Sequence, residues 1–398
     1  MSNASLLFLS TQLPYPPKSG GTMKSWKYVE DLSKRYQLGL ACLLKDEDEF
    51  YLAEFEKKIK LTQFIHQKLE VNRNPINLIK SYFGFPCLNV FRNFSKSFQE
   101  KVKQIANEYD LIVVDHYEMF QYIPKNYKGK VVMHTHNAEF MLWQRMGELT
   151  KNPLVKWLLK AEAKRVKKYE KAIFKASNLI YSTPSDIELY KTHAFKTDKH
   201  RSTYHLGNDQ LLELPPLKFS DTELALSFMG TLSWEPNIDA LLWFIQEVWP
   251  QIIKKQTDCR FYIMGKKGDE RIYEAAKKFP NIIFTGFVKD LESYLKKSRV
   301  YIAPLRFGSG MKVKVLEGLY RGVPMVSTSV GAEGLALKNE QHILIANDST
   351  QFAAACLRLI EEQTLWKQLS ENSRKIAAEK YRWEPLFEQM DKELQLLL

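Results

Sequence analysis

One stretch of the chain most constrains its fold, because it predicts a strand, a glycine loop, a helix and a second strand in direct succession. Residues 300–304 and 325–327 are apolar runs that predict buried strands. Between them, Gly308 and Gly310 precede a predicted helix that ends near Gly322. The free backbone N–H groups at the start of such a helix form an anion site, and phosphate is the usual anion. This order predicts a parallel α/β sheet with a phosphate-compatible turn.

The charged residues beside the glycine loop indicate the kind of ligand. Lys312 and Lys314 add positive charge at the start of the predicted helix, whereas Glu317 places a carboxylate about one turn into it. A neutral, hydroxyl-rich group next to the phosphate accounts for this carboxylate, and a nucleotide ribose fits. A Gly-x-Gly alone is more often an ordinary turn, so the wider pattern decides.

That wider pattern, residues 308–335, resembles the donor-site signature of retaining GT-B glycosyltransferases of family 4. The residues that carry the resemblance are Gly308-Ser309-Gly310-Met311-Lys312, Leu316-Glu317 and Gly331-Ala332-Glu333-Gly334. The resemblance implies an α/β protein of GT-B fold, with two Rossmann-like, doubly wound domains facing across a cleft. It also implies transfer of a hexosyl unit from a nucleotide sugar, with retention at the anomeric carbon.

The resemblance further implies the residues of the site. The implied catalytic residues are His136, Lys312 and Glu317. The implied donor-binding residues, which lie on several loops, are Gly20, Gly21, Gly230, Gly265, Phe287, Val288, Ser309, Gly310, Met311 and Val313. Gly230 would face the donor phosphates, and the backbone near Phe287 and Val288 would meet the base. The leaving phosphate can take the acceptor proton, so no protein nucleophile is expected. Cationic side chains and backbone N–H groups can neutralise the departing diphosphate, so no metal or other cofactor is expected.

Two departures from the family pattern affect these expectations. Ser309 stands where the first Glu of the E-x7-E pair would be, which leaves the donor sugar open. Thr231 and Asn237 stand where the family has an Arg and a Lys after the first glycine of the second domain. We therefore expect Lys312, with Lys314 as a second candidate, to supply the phosphate charge.

The length of the chain and a second start of the strand–helix alternation indicate more than one domain. A chain of 398 residues suits two ordinary domains. We predict an acceptor-side Rossmann-like domain over 1–209, a nucleotide-sugar domain over 210–380, and a last helix over 381–398 that returns to the first domain. Hydrophobic content of 45% and charged content of 26% are typical of soluble globular proteins.

Three histidines follow two predicted strands in the first half. His116 ends one strand, and His134 and His136 end the next. Residues i and i+2 of a strand point to the same face, so a metal cluster is one interpretation. The lack of a clear carboxylate set argues against it. The segment resembles the family region whose histidine faces the reacting sugar, which favours His136, with His134 second.

Other patterns that could bind a metal favour simpler interpretations. Asp46 and Asp48 form a D-x-D, but they precede a predicted helix, where acidic residues suit the helix dipole. The four cysteines are scattered without C-x-x-C spacing, which argues against structural zinc and disulfides and fits a reducing compartment.

Net charge suggests an anionic partner. The chain has 58 basic and 46 acidic residues, a net charge of +12. A predicted basic helix over 151–175 has an apolar side and could lie on an anionic membrane, although a solvated helix has the same pattern. No membrane span or signal peptide is predicted. The expected location is the cytoplasm, with peripheral contact at the inner face of the membrane left open.

The function expected from these observations is transfer to a glycan or lipid-linked acceptor in cell-surface polysaccharide or glycolipid synthesis. Three alternatives remain. An NAD-dependent oxidoreductase should show G-x-G-x-x-G after the first strand, which is not found. A nucleotide-sugar epimerase of the same fold would interconvert donors without an acceptor. A non-catalytic polyanion-binding protein would account for the charge, but no nucleic-acid-binding motif is found and no nucleic acid partner is expected.

Overall fold

The computed structural model describes residues 4–17, 20–72, 74–150, 152–266, 268–308 and 311–398, the side chain of Leu149 excepted. The chain divides into two compact units. Unit 1 comprises the described residues up to Tyr204 together with Leu386–Leu398, and unit 2 is His205–Pro385. The functional boundaries drawn from the sequence stay a prediction.

Each unit contains one sheet, and all of its paired strands are parallel. The strands of unit 1 are β1 Ser5–Ser10, β2 Gln37–Leu44, β3 Gln63–Lys68, β4 Leu111–Asp115, β5 Lys130–His134, β6 Leu179–Ser182 and β7 His200–Ser202. The strands of unit 2 are β8 Glu223–Met229, β9 Arg260–Met264, β10 Ile282–Gly286, β11 Ser298–Ala303, β12 Met325–Ser327 and β13 Leu344–Ile345.

The helices alternate with these strands. They are α1 Gly20–Arg35, α2 Leu52–Lys58, α3 Pro75–Ser81, α4 Leu88–Arg92, α5 Lys96–Ile105, α6 Glu139–Leu149, α7 Pro153–Ala176, α8 Pro184–Thr192, α9 Glu235–Trp243, α10 Trp249–Ile253, α11 Glu270–Ala276, α12 Glu292–Leu295, α13 Val313–Arg321, α14 Ser349–Glu361, α15 Gln363–Lys380 and α16 Trp383–Gln395. No helix in the described ranges is long and apolar enough to cross a membrane.

The strand orders decide where a ligand site is expected. They are β3-β2-β1-β4-β5-β6-β7 in unit 1 and β10-β9-β8-β11-β12-β13 in unit 2. In each sheet the order reverses next to the first strand, between β1 and β4 and between β8 and β11. Ligands of open α/β sheets bind outside the carboxyl ends of the strands at such a switch point. A ligand site is therefore expected at the loops that follow β1, β4, β8 and β11. The predicted α/β class with two doubly wound sheets is confirmed.

The central strands are apolar because helices cover both faces of a parallel sheet. Leu6, Leu7, Phe8 and Leu9 of β1 are fully buried, as are Val300 to Ala303 of β11. Apolar side chains from the covering helices complete a separate hydrophobic core in each unit. These cores hold the strand ends, and the loops that follow them, in fixed positions.

The predicted basic helix over 151–175 corresponds to one helix of the structure, α7. Helix α7 begins at Pro153 because Asn152 accepts hydrogen bonds from Leu154 N and Val155 N, as an N-cap residue does. Helix α6 precedes it and was not predicted. The predicted first residue of the basic helix, Lys151, lies outside the described residues.

The D-x-D segment begins a helical turn, as predicted. Asp48 opens a short 3-10 turn, Asp48–Tyr51, which leads into α2. Its Oδ2 accepts hydrogen bonds from Lys45 N at 2.9 Å and Leu13 N at 3.2 Å. Asp46 pairs with Lys68 at 3.1 Å. Both carboxylates are thus engaged within the protein.

Candidate functional site

The loop after β8 brings together a glycine, a buried amide and an ammonium group. Asn237 is 2% exposed and donates through Nδ2 to Thr231 O at 3.0 Å. Its Oδ1 accepts from Lys314 Nζ at 2.5 Å, and this ammonium lies 4.4 Å from the centre of the Phe228 ring. A Cβ at Gly230 would lie 2.7 Å from Asn237 Nδ2 and 2.9 Å from Lys314 Nζ. A side chain at this position would require both groups to shift.

The second loop of the switch point lies between β11 and α13. Lys312 is the N-cap residue of α13, and its ammonium pairs with Glu333 Oε2 at 3.1 Å. Gly308 has φ 132°, a conformation that L side chains rarely adopt. The predicted donor-binding residues Ser309 and Gly310 lie outside the described residues.

Met311 and Val313, which flank Lys312, are partly buried. A Cβ at Gly334 would lie 3.4 Å from Met311 N, and a Cβ at Gly207 would lie 3.2 Å from Val313 Cγ1. The start of α13 therefore packs closely against two loops of unit 2.

Glu317 carries a carboxylate that is strongly desolvated. The residue is 4% exposed, and its Oε1 accepts a hydrogen bond from Asn208 N at 2.9 Å. Its Oε2 is buried and has no hydrogen-bond partner among the residues described. Burial raises the pKa of Glu317 to about 7, against the opposing effect of the hydrogen bond from Asn208. A hydroxyl group of a ligand would supply the missing partner.

The remaining predicted residues of unit 2 follow neighbouring strands. Gly265 follows β9, and a Cβ there would lie 2.3 Å from Gly230 O, so the two glycine turns are in contact. Phe287 follows β10 and is 58% exposed, with Lys266 Nζ 5.7 Å from its ring centre. Val288 next to it is partly buried. An exposed ring beside a glycine turn can stack on a planar ligand group.

In unit 1, a carboxylate lies at the centre of the histidine cluster. Asp115 Oδ1 is 2.7 Å from His134 Nδ1 and 2.7 Å from His136 Nε2. Its Oδ2 is 3.3 Å from His116 Nδ1. The rings of His116 and His136 stack with centroids 3.7 Å apart. His116 has φ 75°, which is unusual for a residue other than glycine and typical of strained functional sites.

The pKa values of the three histidines in this cluster shift in different directions. Burial disfavours a charged His116, but the carboxylate of Asp115 outweighs it and raises the pKa of His116 to about 9. Burial, then Lys24, lowers the pKa of His134 to about 3. Burial and the neighbouring charge of His116 also lower the pKa of His136 well below its usual value. At neutral pH the cluster is therefore a charged Asp115–His116 pair with His134 and His136 neutral.

This cluster contains the carboxylate that the sequence interpretation found lacking. Ligand atoms of Asp115, His134 and His136 all lie within 4.8 Å of one another, and these residues could hold a divalent ion. The argument from a lacking carboxylate was therefore wrong. However, a nitrogen of each ring is directed at the same carboxylate oxygen, so an ion would have to replace both contacts. The expectation of no metal stays a prediction.

Helix α1 connects the glycine turn to the cluster. A Cβ at Gly21 would lie 3.8 Å from His136 Nδ1. Ser25 Oγ donates to Asp115 Oδ2 at 2.6 Å, and Lys24 Nζ donates to Thr135 O at 3.3 Å. Burial lowers the pKa of Lys24 to about 8, although Asp115 opposes the shift. Gly20 is the first residue of α1. The predicted glycines and His136 thus lie together.

Sequence reasoning did not assign a role to Asp115, Lys24 or Ser25. A signal existed for Asp115, because it ends a buried strand and pairs in register with His134 on the next strand. No pattern in the sequence indicated that Lys24 and Ser25 face the sheet edge rather than solvent.

Most of unit 2 is similar in sequence to a known protein family. Residues 223–362, which include the Asn237–Lys314 pair and Glu317, match the family model described as "Glycosyl transferases group 1". This part of the chain is a glycosyltransferase group 1 domain. The match covers most of unit 2, so the glycine turns and α13 belong to the glycosyltransferase domain.

Whole-chain comparisons extend over both units. A protein of Klebsiella pneumoniae described as "Uncharacterized 44.6 kDa protein in cps region" is 23% identical, over 98% of this chain and 100% of its own length. Anabaena Alr3699/HepE, solved in complex with UDP-glucose, has a TM-score of 0.69 at 12% identity, covering 99% of this chain and 100% of its own. Sucrose-phosphate synthase from Thermosynechococcus elongatus has a TM-score of 0.70 at 14% identity, covering 99% of each chain. These solved structures share the GT-B fold.

Proposed function

We propose that this protein transfers a hexosyl unit from a nucleotide sugar to a glycan or lipid-linked acceptor, with retention at the anomeric carbon, in cell-surface polysaccharide or glycolipid synthesis. The observation that carries the proposal is that the group 1 glycosyltransferase match, residues 223–362, contains the phosphate-compatible turn and α13. The cps region named for the Klebsiella relative supports the polysaccharide setting. The UDP-glucose complex of the Anabaena protein supports a UDP-sugar as the first donor to test.

The donor roles follow from the geometry of unit 2. Gly230 allows a diphosphate to approach the backbone, and the start of α13 offers free N–H groups to it. Glu317 is proposed to accept hydrogen bonds from the ribose, since its Oε2 has no partner in the described parts of the chain. The exposed ring of Phe287 is proposed to lie near the base.

The proposed chemistry needs charge stabilisation more than a protein nucleophile. As the sugar leaves the diphosphate, positive charge develops at the anomeric carbon and negative charge on the phosphate. Backbone N–H groups and lysine ammonium groups stabilise the second, and the phosphate oxygen takes the acceptor proton. His136, neutral and fixed by Asp115, is proposed to contact the donor sugar as a hydrogen-bonding group. No divalent metal is required in this scheme.

An anionic membrane surface is proposed as the place where a lipid-linked acceptor is met. Helix α7 carries an almost continuous exposed stripe of lysines: Lys160, Lys164, Lys168, Lys171 and Lys175. At its start, Leu154 and Trp157 are 66% and 65% exposed. Lysines attract anionic headgroups, and exposed tryptophan and leucine enter the interface between headgroups and acyl chains. A glycan acceptor in solution is the other outcome, and vesicle binding distinguishes them.

A thermal-shift panel of nucleotide sugars tests the proposed function. A donor present at 100 times its dissociation constant should add about 2.7 kcal/mol to the free energy of unfolding. The control is Gly230→Ala, whose Cβ would meet Asn237 Nδ2 at 2.7 Å and push into the proposed phosphate site. We expect a shift with at least one donor in the wild type and a much smaller one in the variant. No shift with any nucleotide sugar would overturn the proposal.

A further inference from the structure

The strongest unassigned feature is the environment of Lys314. Its ammonium donates to the neutral Asn237 Oδ1 at 2.5 Å and lies over the Phe228 ring at 4.4 Å. Among the described residues, no carboxylate forms a salt bridge with it. By contrast, the ammonium of Lys312, two residues earlier, pairs with Glu333 at 3.1 Å. Lys314 is thus a desolvated cation with an amide, rather than an anion, as its hydrogen-bond partner.

The position of this ammonium fits an anion that the protein itself does not provide. It lies 2.9 Å from the place where a Cβ of Gly230 would be, at the carboxyl end of β8 beside the topological switch point. Asn237 is fixed by its own bond to Thr231 O at 3.0 Å, so the ammonium is held in place. A group that approaches the backbone at Gly230 meets two donor groups, the amide of Asn237 and the ammonium of Lys314.

We propose that Lys314, held by Asn237 beside Gly230, is the residue that neutralises the diphosphate of the donor. The inference rests on the proposed function and gives Lys312 and Lys314 different roles. Lys312 remains paired with Glu333 and positions the start of α13. Asn237 stands where the family pattern has a lysine and carries no charge itself. Lys314, held by Asn237, supplies the positive charge instead.

Donor binding is also expected to be accompanied by uptake of a proton by Lys314. Desolvation, followed by repulsion from Lys312, lowers the pKa of Lys314 to about 7. A diphosphate within hydrogen-bond distance favours the charged form and raises this pKa. The neighbouring charged groups are Lys312, which precedes α13, and Glu317, which is one turn further along it. The partners from the other elements, Asn237 and Phe228, are uncharged.

The expected size of the effect follows from linkage. If the donor raises the pKa of Lys314 by about two units, from about 7, roughly 0.8 proton is taken up at pH 8. The contribution of Lys314 to the dissociation constant is then nearly flat below pH 7 and rises by up to about tenfold per pH unit between pH 7 and pH 9. The diphosphate of a nucleotide sugar has no terminal phosphate to titrate in this range, so UDP-glucose is a suitable probe.

The experiment is titration calorimetry with UDP-glucose between pH 6.5 and 8.5, in pairs of buffers with different ionisation enthalpies. If UDP-glucose does not raise the Tm of the wild type, it is replaced by the nucleotide sugar that raises this Tm most. The variants are Lys314→Met, Lys314→Arg and Lys312→Met, with Lys254→Met as a control at an exposed lysine of unit 2. The uptake due to Lys314 is the wild-type value minus that of Lys314→Met, because Glu317 also titrates near pH 7.

We expect Lys314→Met to lose the uptake and to bind at least about tenfold more weakly at pH 6.5, with circular dichroism unchanged. Lys314→Arg should bind with no uptake, because an arginine stays charged. Lys254→Met should keep the uptake unchanged, and Lys312→Met should keep it at higher pH, because loss of the Lys312 charge raises the pKa of Lys314. Equal uptake in the wild type and Lys314→Met, or loss of uptake in Lys312→Met alone, would overturn the inference while leaving the proposed function intact. If no nucleotide sugar binds the wild type, the proposed function and the inference fail together.

Discussion

Replacement of Glu317 by glutamine should stabilise the free protein while weakening donor binding. The two effects have a common cause, because the carboxylate is buried and only one of its oxygens is hydrogen-bonded among the described residues. A group placed for a ligand in this way costs stability when the ligand is absent. A purely structural carboxylate would behave in the opposite way, since its loss would lower stability.

The size of the stability effect follows from the pKa. The pKa of Glu317 is raised from 4.5 to about 7 on folding. The folded state therefore binds more protons than the unfolded state between these values, and stability falls as pH rises from 4.5 to 7 and is constant above. The full loss is about 3 kcal/mol, at 1.36 kcal/mol per pKa unit. A glutamine at this position resembles the protonated acid and does not titrate, so the variant should lack this loss.

The assay is denaturant unfolding of wild type and Glu317→Gln at pH 5 and pH 8. The difference between the two proteins should grow by about 2–3 kcal/mol from pH 5 to pH 8, in favour of the variant. In parallel, donor affinity at pH 8 should fall, because an amide replaces the acceptor for the ribose hydroxyls. Unfolding of the unit that contains Glu317 is the relevant transition, since a two-unit chain need not unfold in one step.

Glu170→Gln is a matched control in the other unit. Glu170 is 1% exposed, and burial raises its pKa to about 8, but its oxygens accept from Glu139 N, Phe140 N and Tyr190 OH. Its replacement should alter stability and leave donor affinity unchanged. The reasoning about Glu317 would be refuted if Glu317→Gln were less stable than wild type at pH 8, or if its donor affinity were unaltered.

Three further outcomes are expected. Asp115→Asn should lower kcat at least about tenfold with a smaller effect on KM, and should lower the pKa of His116 from about 9, as followed by NMR titration, because the carboxylate that stabilises its charge is gone. An unchanged His116 titration would contradict the assigned charges. Transfer should survive EDTA, since Asp48 is bound to backbone N–H groups and the Asp115 oxygen already contacts both rings; loss of activity with EDTA and recovery with Mn²⁺ would argue against the scheme. Co-sedimentation with anionic liposomes should fall steeply with salt and drop when four exposed lysines of α7 become Glu: Lys160, Lys164, Lys168 and Lys171. Equal sedimentation with neutral liposomes would contradict the membrane proposal.

The sequence predicted the parts of the fold whose signals are local. The apolar run 325–327 corresponds residue for residue to β12, and the run 300–304 overlaps β11, because a buried parallel strand is apolar along its length. By contrast, β3 was missed, since its residues Gln63–Lys68 alternate only weakly and none is fully buried. Helix α6 was also missed: its N-cap residue is Ala138, which has no side-chain acceptor and so gives no signal for a helix start.

The candidate site was predictable only in part, because contacts between distant residues leave no mark in the local pattern. Lys312 and Glu317 were found in one continuous stretch, 308–335, and Gly230 was found through the resemblance that this stretch carries. The proximity of Lys314 to Asn237, 77 residues away in sequence, depends on how α13 and α9 meet at the ends of β11 and β8. The position of Asp115 among three histidines likewise depends on the register of β4 and β5.

The central claim, transfer from a nucleotide sugar with retention, is tested most directly by proton NMR of an α-linked donor incubated with the protein. UDP-glucose is the first donor to use, with water or an added glycan fraction as acceptor. The account predicts release of UDP together with a first-formed sugar product in the α configuration. A first-formed β product would contradict retention, and conversion of the donor into another nucleotide sugar without release of UDP would contradict transfer itself.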